Sequence, residues 1–366
     1  MTLAGHIDSY YAASANQALE FPGLEGDLDV DVCIIGGGYT GLSSAINLRE
    51  RGYSVALLEA ERIGWGASGR NGGHASGGQR ADQDELENMV GKEQAQRLWQ
   101  LGQEAVDEVC ALVDRFNIDC DLKQGDLHVA AKPGDVDELK EYGDKLNSDY
   151  GENIRFVDKS ELEEMTSSRR YHAGVLNSAG RHLHPLNYAL GLASAAAGMG
   201  AQIFEGTRAL KFEEKEQVTV TTESGRVTSK FLVLGCNGYL EGLAPQIAGK
   251  IMPINNYVLA TEPLGEELAR SLIRDDVCMS DTLFVINYWK ISGDNRLLFG
   301  GGETYTRRFP KDIKGFVRKY MLQTYPELEN TAIDYAWGGT LAVTMNRMPA
   351  FGRTGKNIFY SHGYSC

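Results

Sequence analysis

A chain of 366 residues can bury one large core or two, and 42 % hydrophobic with 23 % charged residues is an ordinary soluble globular composition. The formal charge of −14, from 36 basic against 50 acidic residues, disfavours nonspecific binding to nucleic acid or anionic membranes while leaving room for a local basic pocket. The first 28 residues lack the basic start and continuous apolar core of a signal peptide, so the expected compartment is the cytoplasm.

The first strong signal is Asp31-Val32-Cys33-Ile34-Ile35-Gly36-Gly37-Gly38-Tyr39-Thr40-Gly41, followed by an Ala/Leu/Ile helix and then Leu57-Leu58-Glu59. A buried strand, a Gly36-x-Gly38-x-x-Gly41 turn, a helix start and a second strand ending in an acid make a dinucleotide-binding βαβ unit. Gly36 allows the tight turn, Gly38 lets backbone approach a pyrophosphate, and Gly41 permits close helix–strand contact. The helix start at Tyr39 and Thr40 supplies unpaired N–H groups and positive dipole, and Glu59 lies where a ribose-binding acid belongs. A second match, Gly64-Trp65-Gly66-Ala67-Ser68-Gly69, is a decoy, because it follows the acid and runs into Arg70-Asn71-Gly72-Gly73 with no helix.

The stretch Gly64 to Gly78 is too long and too glycine-dense for a simple connector, and loops of that kind contact something. Residues from about Asp84 to Phe116 read as one helix by spacing, Leu127-His128-Val129-Ala130-Ala131 as a short strand, and Asp135 to Leu146 as a helix introduced by Pro133. Pro185 opens a helix to about Met199. Leu186 to Phe204 carries no charge and approaches membrane-span length, but Asn187, Gln202 and the Gly198-Met199-Gly200 break favour a soluble helix followed by a strand. Ala201 to Leu234 then reads as strands, with Ala209 to Phe212 as one of them and Phe231 to Leu234 returning to the nucleotide sheet before Gly235. A β-rich block spans about Ile251 to Phe299, a helix Lys311 to Tyr325, and strands resume at Ile333 and Ile358. The cysteines (33, 110, 120, 236, 278 and 366) form no C-x-x-C and no zinc spacing, and Cys33 and Cys236 read as core thiols. His182 and His184 share a strand face without a carboxylate cluster, so no metal is expected, and His184 reads as a helix-entry residue.

With no internal repeat and no low-complexity linker, the domains are expected to interleave. A single fingerprint does not choose between NAD and FAD. No second fingerprint is present, the Gly66 to Gly73 backbone could lie along a ribityl chain and flavin ring, and Ile358-Phe359-Tyr360 runs into a glycine turn that a simple NAD domain does not need. Together with Ser9 to Asn16, His182 to Asn187, Asn295 to Gly302 and Met348 to Arg353, these residues resemble the D-amino-acid oxidase family of FAD-dependent oxidoreductases nearly end to end.

The resemblance implies an α/β plus α+β fold. A Rossmann-like FAD-binding domain of residues 1–95, 153–245 and 337–366 would interleave with a β-rich substrate cap of residues 96–152 and 246–336. FAD would place its adenosine on Gly36, Gly38, Gly41 and Glu59, its pyrophosphate on the helix start at Tyr39 and Thr40, and its ribityl and ring along Ala67, Ser68, Gly69, Arg70, Asn71, Gly72 and Gly73. Ala209 and Leu210 would meet the adenine, with Gly235 and Gly363 completing the set. Sarcosine-oxidase-like relatives attach flavin through a cysteine near the position of Thr340, and none stands there, so FAD is expected to be noncovalent.

The implied reaction is oxidation of a primary or secondary amine, with gamma-glutamylputrescine as the expected substrate, giving an aldehyde, ammonia and hydrogen peroxide in putrescine breakdown. A neutral amine can give up hydride directly, so positioning residues matter more than a triad. The candidates are His74 near the ring, Tyr288 and Trp289 bounding the amine by cation–π contact, and Arg307 and Arg308 holding a substrate carboxylate. Some relatives carry an oxygen-promoting lysine above the flavin; the corresponding stretch here is Leu297-Leu298-Phe299, which leaves oxygen or a carrier as acceptor. Three other readings are a dehydrogenase of another small amine or amino acid, an RNA-modifying relative, which the charge of −14 disfavours, and an inactive fragment. In the family, Gly363-Tyr364-Ser365 continues through Gly-His-Gly into a helix facing the flavin. Cys366 stands in that glycine's place, which implies an incomplete cofactor domain that binds FAD poorly.

Overall fold

The computed structural model describes residues 5–306 and 308–364, so Arg307, Ser365 and Cys366 lie outside the described residues. The chain visits two sheets alternately. In the first, the strand order is Ala350–Thr354, Ile358–His362, Arg226–Leu234, Leu28–Ile35, Val55–Leu58, Gln202–Phe204, with the Lys211–Glu214 and Val218–Thr221 hairpin paired to the side of Arg226–Leu234. Leu28–Ile35 runs parallel to both neighbours, with Ile35 opposite Leu234 and Ile34 opposite Leu57. Both faces of this strand are covered, which is why Cys33-Ile34-Ile35 is apolar without alternation and buried throughout.

Helices Tyr39–Glu50 and Pro185–Gly198 pack on one face of that sheet through Leu42, Ile46, Ala189 and Ala193; Leu58, Leu232 and Ile247 form the core on the other. The Pro185–Gly198 helix is apolar nearly all round because it is buried nearly all round. The uncharged segment is thus a buried helix followed by the Gln202–Phe204 strand, and among the described residues no helix is long and apolar enough to cross a membrane.

The second sheet has the order Ile333–Thr344, Ile251–Thr261, Leu297–Thr304, Tyr288–Ile291, Cys278–Asp281, Lys123–Val129, Gly174–His182, His74–Ala75, with Ile154–Val157 beside Gly174–His182. One face packs on helix Ile313–Thr324 through a core containing Trp289, Phe299, Met321 and Tyr325. The other turns toward the first sheet.

Several expectations shift. The single helix over Asp84 to Phe116 is two, Gln83–Val90 and Lys92–Phe116, because Gly91 takes a positive φ of 82° and its N–H closes on Glu87 O at 2.9 Å. Ile154–Val157 and Gly174–His182, assigned by sequence to the cofactor domain, pair antiparallel into the cap sheet instead. Ile333–Thr344 straddles the expected boundary at residue 337, since all of it pairs with Ile251–Thr261. The strand expected from Ala209 begins only at Lys211. Cys33 is buried as a core thiol, whereas Cys236 is half-buried beside a cavity because the chain leaves the sheet at Gly235.

Candidate active site

Where the two sheets face each other lies a continuous cavity of about 2620 Å³, larger than the usual ~300–1,000 Å³ ligand pocket. One end is the glycine turn. Gly36 has φ +111°, and a Cβ there would stand 2.7 Å from Gly235 O, so this turn admits only glycine. A Cβ at Gly41 would overlap Gly36 O, which brings the helix onto the strand but leaves Gly41 off the cavity wall. Gly38, Tyr39, Thr40 and Gly235 line the wall. Glu59 lines it too, accepting from Gly37 N at 2.6 Å and Glu61 N at 2.9 Å; burial raises its carboxyl pKa, and these two N–H bonds oppose the rise. Ala209 and Leu210 lie beside this end, held by Leu210 N to Thr221 O at 2.9 Å.

The glycine-rich loop forms the next wall. Asn71 wires it: Nδ2 donates to Ala67 O (3.1 Å) and Ser68 O (3.2 Å), and Oδ1 accepts from Gly73 N (2.7 Å). Ser68 Oγ accepts from Tyr39 N at 3.0 Å, joining the loop to the Tyr39–Glu50 helix. Ala67 and Gly72 also line the cavity, whereas Gly69 does not; a Cβ there would overlap Gly64 O, so its role is close packing. Arg70 is a buried cation held by Trp65 O (2.6 Å) and Gly338 O (3.3 Å), with its guanidinium 4.1 Å over the Trp65 ring and Nη2 unpartnered. A glycine-floored, N–H-rich turn with a buried, incompletely satisfied guanidinium fits an anionic dinucleotide. At Gly73, φ is +76° and a Cβ would lie 2.9 Å from Lys290 Nζ.

The cap sheet forms the opposite wall, and its paired residues share a face. His128 stands opposite Ser280, Ser280 opposite Tyr288, and Tyr288 opposite Gly300. His128 Nδ1 lies 2.9 Å from Ser280 Oγ, and Tyr288 OH donates to Asn256 Oδ1 at 2.5 Å. Tyr288 therefore faces the cavity, with its ring edge-on to His74 at 5.8 Å. Trp289 does not. Successive strand residues point to opposite faces, so Trp289 enters the cap core, stacks on Tyr171 and Phe299, and donates to Tyr325 OH at 3.0 Å; the expectation that it bounds the amine is corrected.

His74 sits where loop meets cap sheet, opposite His182 in the strand pairing. Its Nε2 and Asp126 Oδ1 are both buried without partners, and burial pushes the His74 pKa down to about 4, Asp126 opposing. His74, Asp126 and Cys278 each bring one potential ligand atom within 4.8 Å of the others. A cation is disfavoured there: burial and the Asp126 charge hold the Cys278 thiol protonated, and the Lys290 ammonium acts on the same residues. Lys290 is buried, donates to Leu183 O, stands opposite Leu298, and has its pKa brought down to about 8 by burial. Leu298 itself belongs to the apolar core.

The arginine expectation also shifts. Arg308 is exposed and off the cavity wall, because it follows the end of the Leu297–Thr304 strand and turns to solvent. Arg307 lies outside the described residues. Among the described residues, the arginines that line the cavity are Arg70, Arg80, Arg208 and Arg347. Sequence reading missed Arg347, Asp126 and His128. For the last two a signal existed, since Asp126-Leu127-His128-Val129 alternates polar and apolar and places both polar residues on one face. Gly363, at φ +89°, lines the cavity near the last strand.

Against known proteins, residues 31–366 match the family model described as FAD dependent oxidoreductase. The chain is 38% identical over 361 residues to gamma-glutamylputrescine oxidoreductase of Escherichia coli (strain K12), covering 98% of this chain and 85% of that protein. Among solved structures, glycine oxidase from Geobacillus kaustophilus superposes with a TM-score of 0.76 at 20% identity, over 92% of this chain and 89% of the other. L-proline dehydrogenase from P. horikoshii superposes with a TM-score of 0.72 at 20% identity, over 93% and 88%. The glycine turn, the acid after the second strand and the near full-length match converge: the chain belongs to the FAD-dependent oxidoreductase family.

Proposed function

We propose that this protein oxidises the CH–NH bond of an amine with FAD, that gamma-glutamylputrescine is its substrate, and that the products are an aldehyde, ammonia and, with oxygen as acceptor, hydrogen peroxide. The observation that carries the reading is the 38% identity to gamma-glutamylputrescine oxidoreductase, which extends over 98% of the chain and so includes both walls of the cavity. Gly36, Gly38, Glu59 and the Ala67 to Gly73 loop would hold FAD, and FAD supplies the two-electron acceptor. Arg70, with an unpartnered buried nitrogen, offers positive charge to an anionic group. Neutral His74 and Asp126 Oδ1 offer two acceptors for amine N–H groups, and Tyr288 walls the amine off from water.

FAD is held without a covalent bond in this reading. Thr340 has no thiol to offer and donates to Asn255 Oδ1 at 2.9 Å, while burial pushes the cavity-lining Cys236 thiol up to about 12, far from a reactive thiolate. Acid precipitation should leave the yellow colour in the supernatant; colour in the pellet refutes the noncovalent reading. The described cysteines are all free, in keeping with a cytoplasmic setting. The deciding experiment is the visible spectrum of the FAD-loaded protein mixed with gamma-glutamylputrescine in the absence of air. Bleaching supports the reading, and an unchanged oxidised spectrum rejects it.

A further inference from the structure

The cavity carries a charge pair that neither the fold nor the amine chemistry uses. Arg347 lines the wall half-buried, with its guanidinium 5.1 Å over the Phe284 ring, and makes no ion pair with a carboxylate among the described residues. Its turn is wired to hold it there. Arg347 N donates to Thr344 O (3.1 Å), Thr344 Oγ1 to Met348 O (2.7 Å), and Met348 N to Asn346 Oδ1 (3.2 Å), while Arg347 itself keeps φ +58°, a conformation that non-glycine residues seldom adopt. Such outliers persist where surrounding structure fixes them and concentrate at ligand clamps.

Glu303 lines the same cavity from the end of the Leu297–Thr304 strand, half-buried and likewise without an ion pair among the described residues. Its Oε2 accepts from Tyr305 OH at 3.0 Å, and the Arg347 charge acts on that same phenol. An unpaired guanidinium over Phe284 and an unpaired carboxylate bonded to Tyr305 therefore line one cavity without pairing to each other. Phe284 and Tyr305, 75% and 60% exposed, flank them where the cavity opens to solvent.

We propose that Arg347 and Glu303 form a subsite for the zwitterionic head of an α-amino acid, Arg347 taking the carboxylate and Glu303 the α-ammonium. The arm of the bound molecule then runs along the cavity toward His74 and Tyr288. A guanidinium takes a carboxylate in two parallel hydrogen bonds, and the Phe284 ring under Arg347 holds the guanidinium in place by cation–π contact. This deepens the proposed function, on which it rests for the substrate and its reacting end: Arg347 and Glu303 become the residues that select gamma-glutamylputrescine, an amine carrying a remote α-amino acid, over a bare diamine.

The probe is γ-glutamylbutylamide, which keeps the amino-acid head but has no terminal amine, titrated calorimetrically into the FAD-loaded protein. It should bind at least about tenfold more tightly than its methyl ester, and Arg347→Asn should weaken it at least about tenfold. Asparagine suits a positive φ, so this variant removes the charge without straining the turn. Glu303→Gln should weaken binding about fivefold or more, and Arg347→Asn should penalise gamma-glutamylputrescine turnover at least about tenfold more than putrescine turnover. Equal binding of acid and ester, unchanged binding to Arg347→Asn, or bleaching of the flavin by the probe itself each overturns the subsite. Should Arg347→Asn fail to hold FAD, the acid–ester comparison on the unaltered protein decides alone. Arg347-dependent probe binding without bleaching by gamma-glutamylputrescine rejects the proposed reaction and keeps the subsite.

Discussion

His184 makes the folded cofactor region sensitive to acid. It opens the Pro185–Gly198 helix, its Nδ1 accepting from Asn187 N at 3.1 Å, while its Nε2 lies 3.0 Å from Ser14 Oγ, whose own proton goes to Tyr10 O at 2.7 Å. That network requires a lone pair on Nδ1 and a proton on Nε2, which is the neutral ring. Burial, with the Lys290 charge adding to it, pushes its pKa down to about 3, against roughly 6.5 in an unfolded chain. A folded pKa below the unfolded one means that the contribution is fully present above about pH 6.5 and is lost as pH falls from there toward about pH 3. Falling from about pH 6.5 to about pH 5 is roughly 1.5 units at about 1.36 kcal/mol each, or about 2 kcal/mol. His182, fully buried with its pKa pushed down to about 2, loses a similar amount over the same range. Together these approach half of a typical ~5–15 kcal/mol stability. Asparagine is a good N-cap that does not titrate, so His184→Asn should lose about 2 kcal/mol less than the unaltered protein between about pH 7 and pH 5, read by urea unfolding. FAD should be released over the same range, because Leu183 N holds Gly73 O at 2.8 Å and Tyr39 OH holds Pro185 O at 3.0 Å beside this cap. Identical acid losses in the two proteins refute the argument.

At the glycine turn, Gly38→Val should yield protein without flavin, because its Cβ would stand 2.7 Å from Ser68 Oγ and its methyl groups would enter the cradle; stoichiometric FAD in that variant sinks the cradle assignment. Glu59→Ala should weaken FAD by about 1.5–3 kcal/mol, the scale of hydrogen bonds to a charged group, measured as the dissociation constant of added FAD; unchanged affinity places the acid elsewhere. Trp289→Phe should cost about 2 kcal/mol or more of stability, from the lost bond to Tyr325 OH and the space left between Tyr171 and Phe299, leaving the KM for the amine as it was, while Tyr288→Phe should raise that KM. The opposite pattern would reverse the two faces of the strand.

The glycine turn was legible because its constraints are local. Gly36, Gly38 and Gly41 are dictated by backbone that must turn or approach closely within a few residues, so their spacing alone carries the geometry. The same holds for His184, whose position before Pro185 and Asn187 announces a helix start. Tyr288 and Trp289 show where that locality ends. Both are aromatic and adjacent, and which one faces the cavity depends on which sheet face receives helix Ile313–Thr324, a choice made by residues distant in sequence. The domain boundaries moved for a related reason, since Gly174–His182 joins whichever sheet offers a free edge, and the Lys123–Val129 strand offers it.

Arg347 is the further case. Its charge is visible in the sequence, but not its direction, which comes from a turn closed by Thr344 and Asn346 and from a positive φ at a residue type that rarely adopts one. Arg307-Arg308 looked the better clamp because two arginines follow a glycine-rich strand end, yet Arg308 turns to solvent. The glycine turn is thus set by its own local backbone, whereas the side chains proposed to select a substrate come together only where two sheets close on each other. Variants at Arg347 and Glu303 should therefore alter which amines are accepted with little effect on FAD affinity, and variants at Gly38 or Glu59 should do the reverse. A change in FAD affinity on Arg347→Asn as large as that on Glu59→Ala would show that the two ends are one site, and this division would fail.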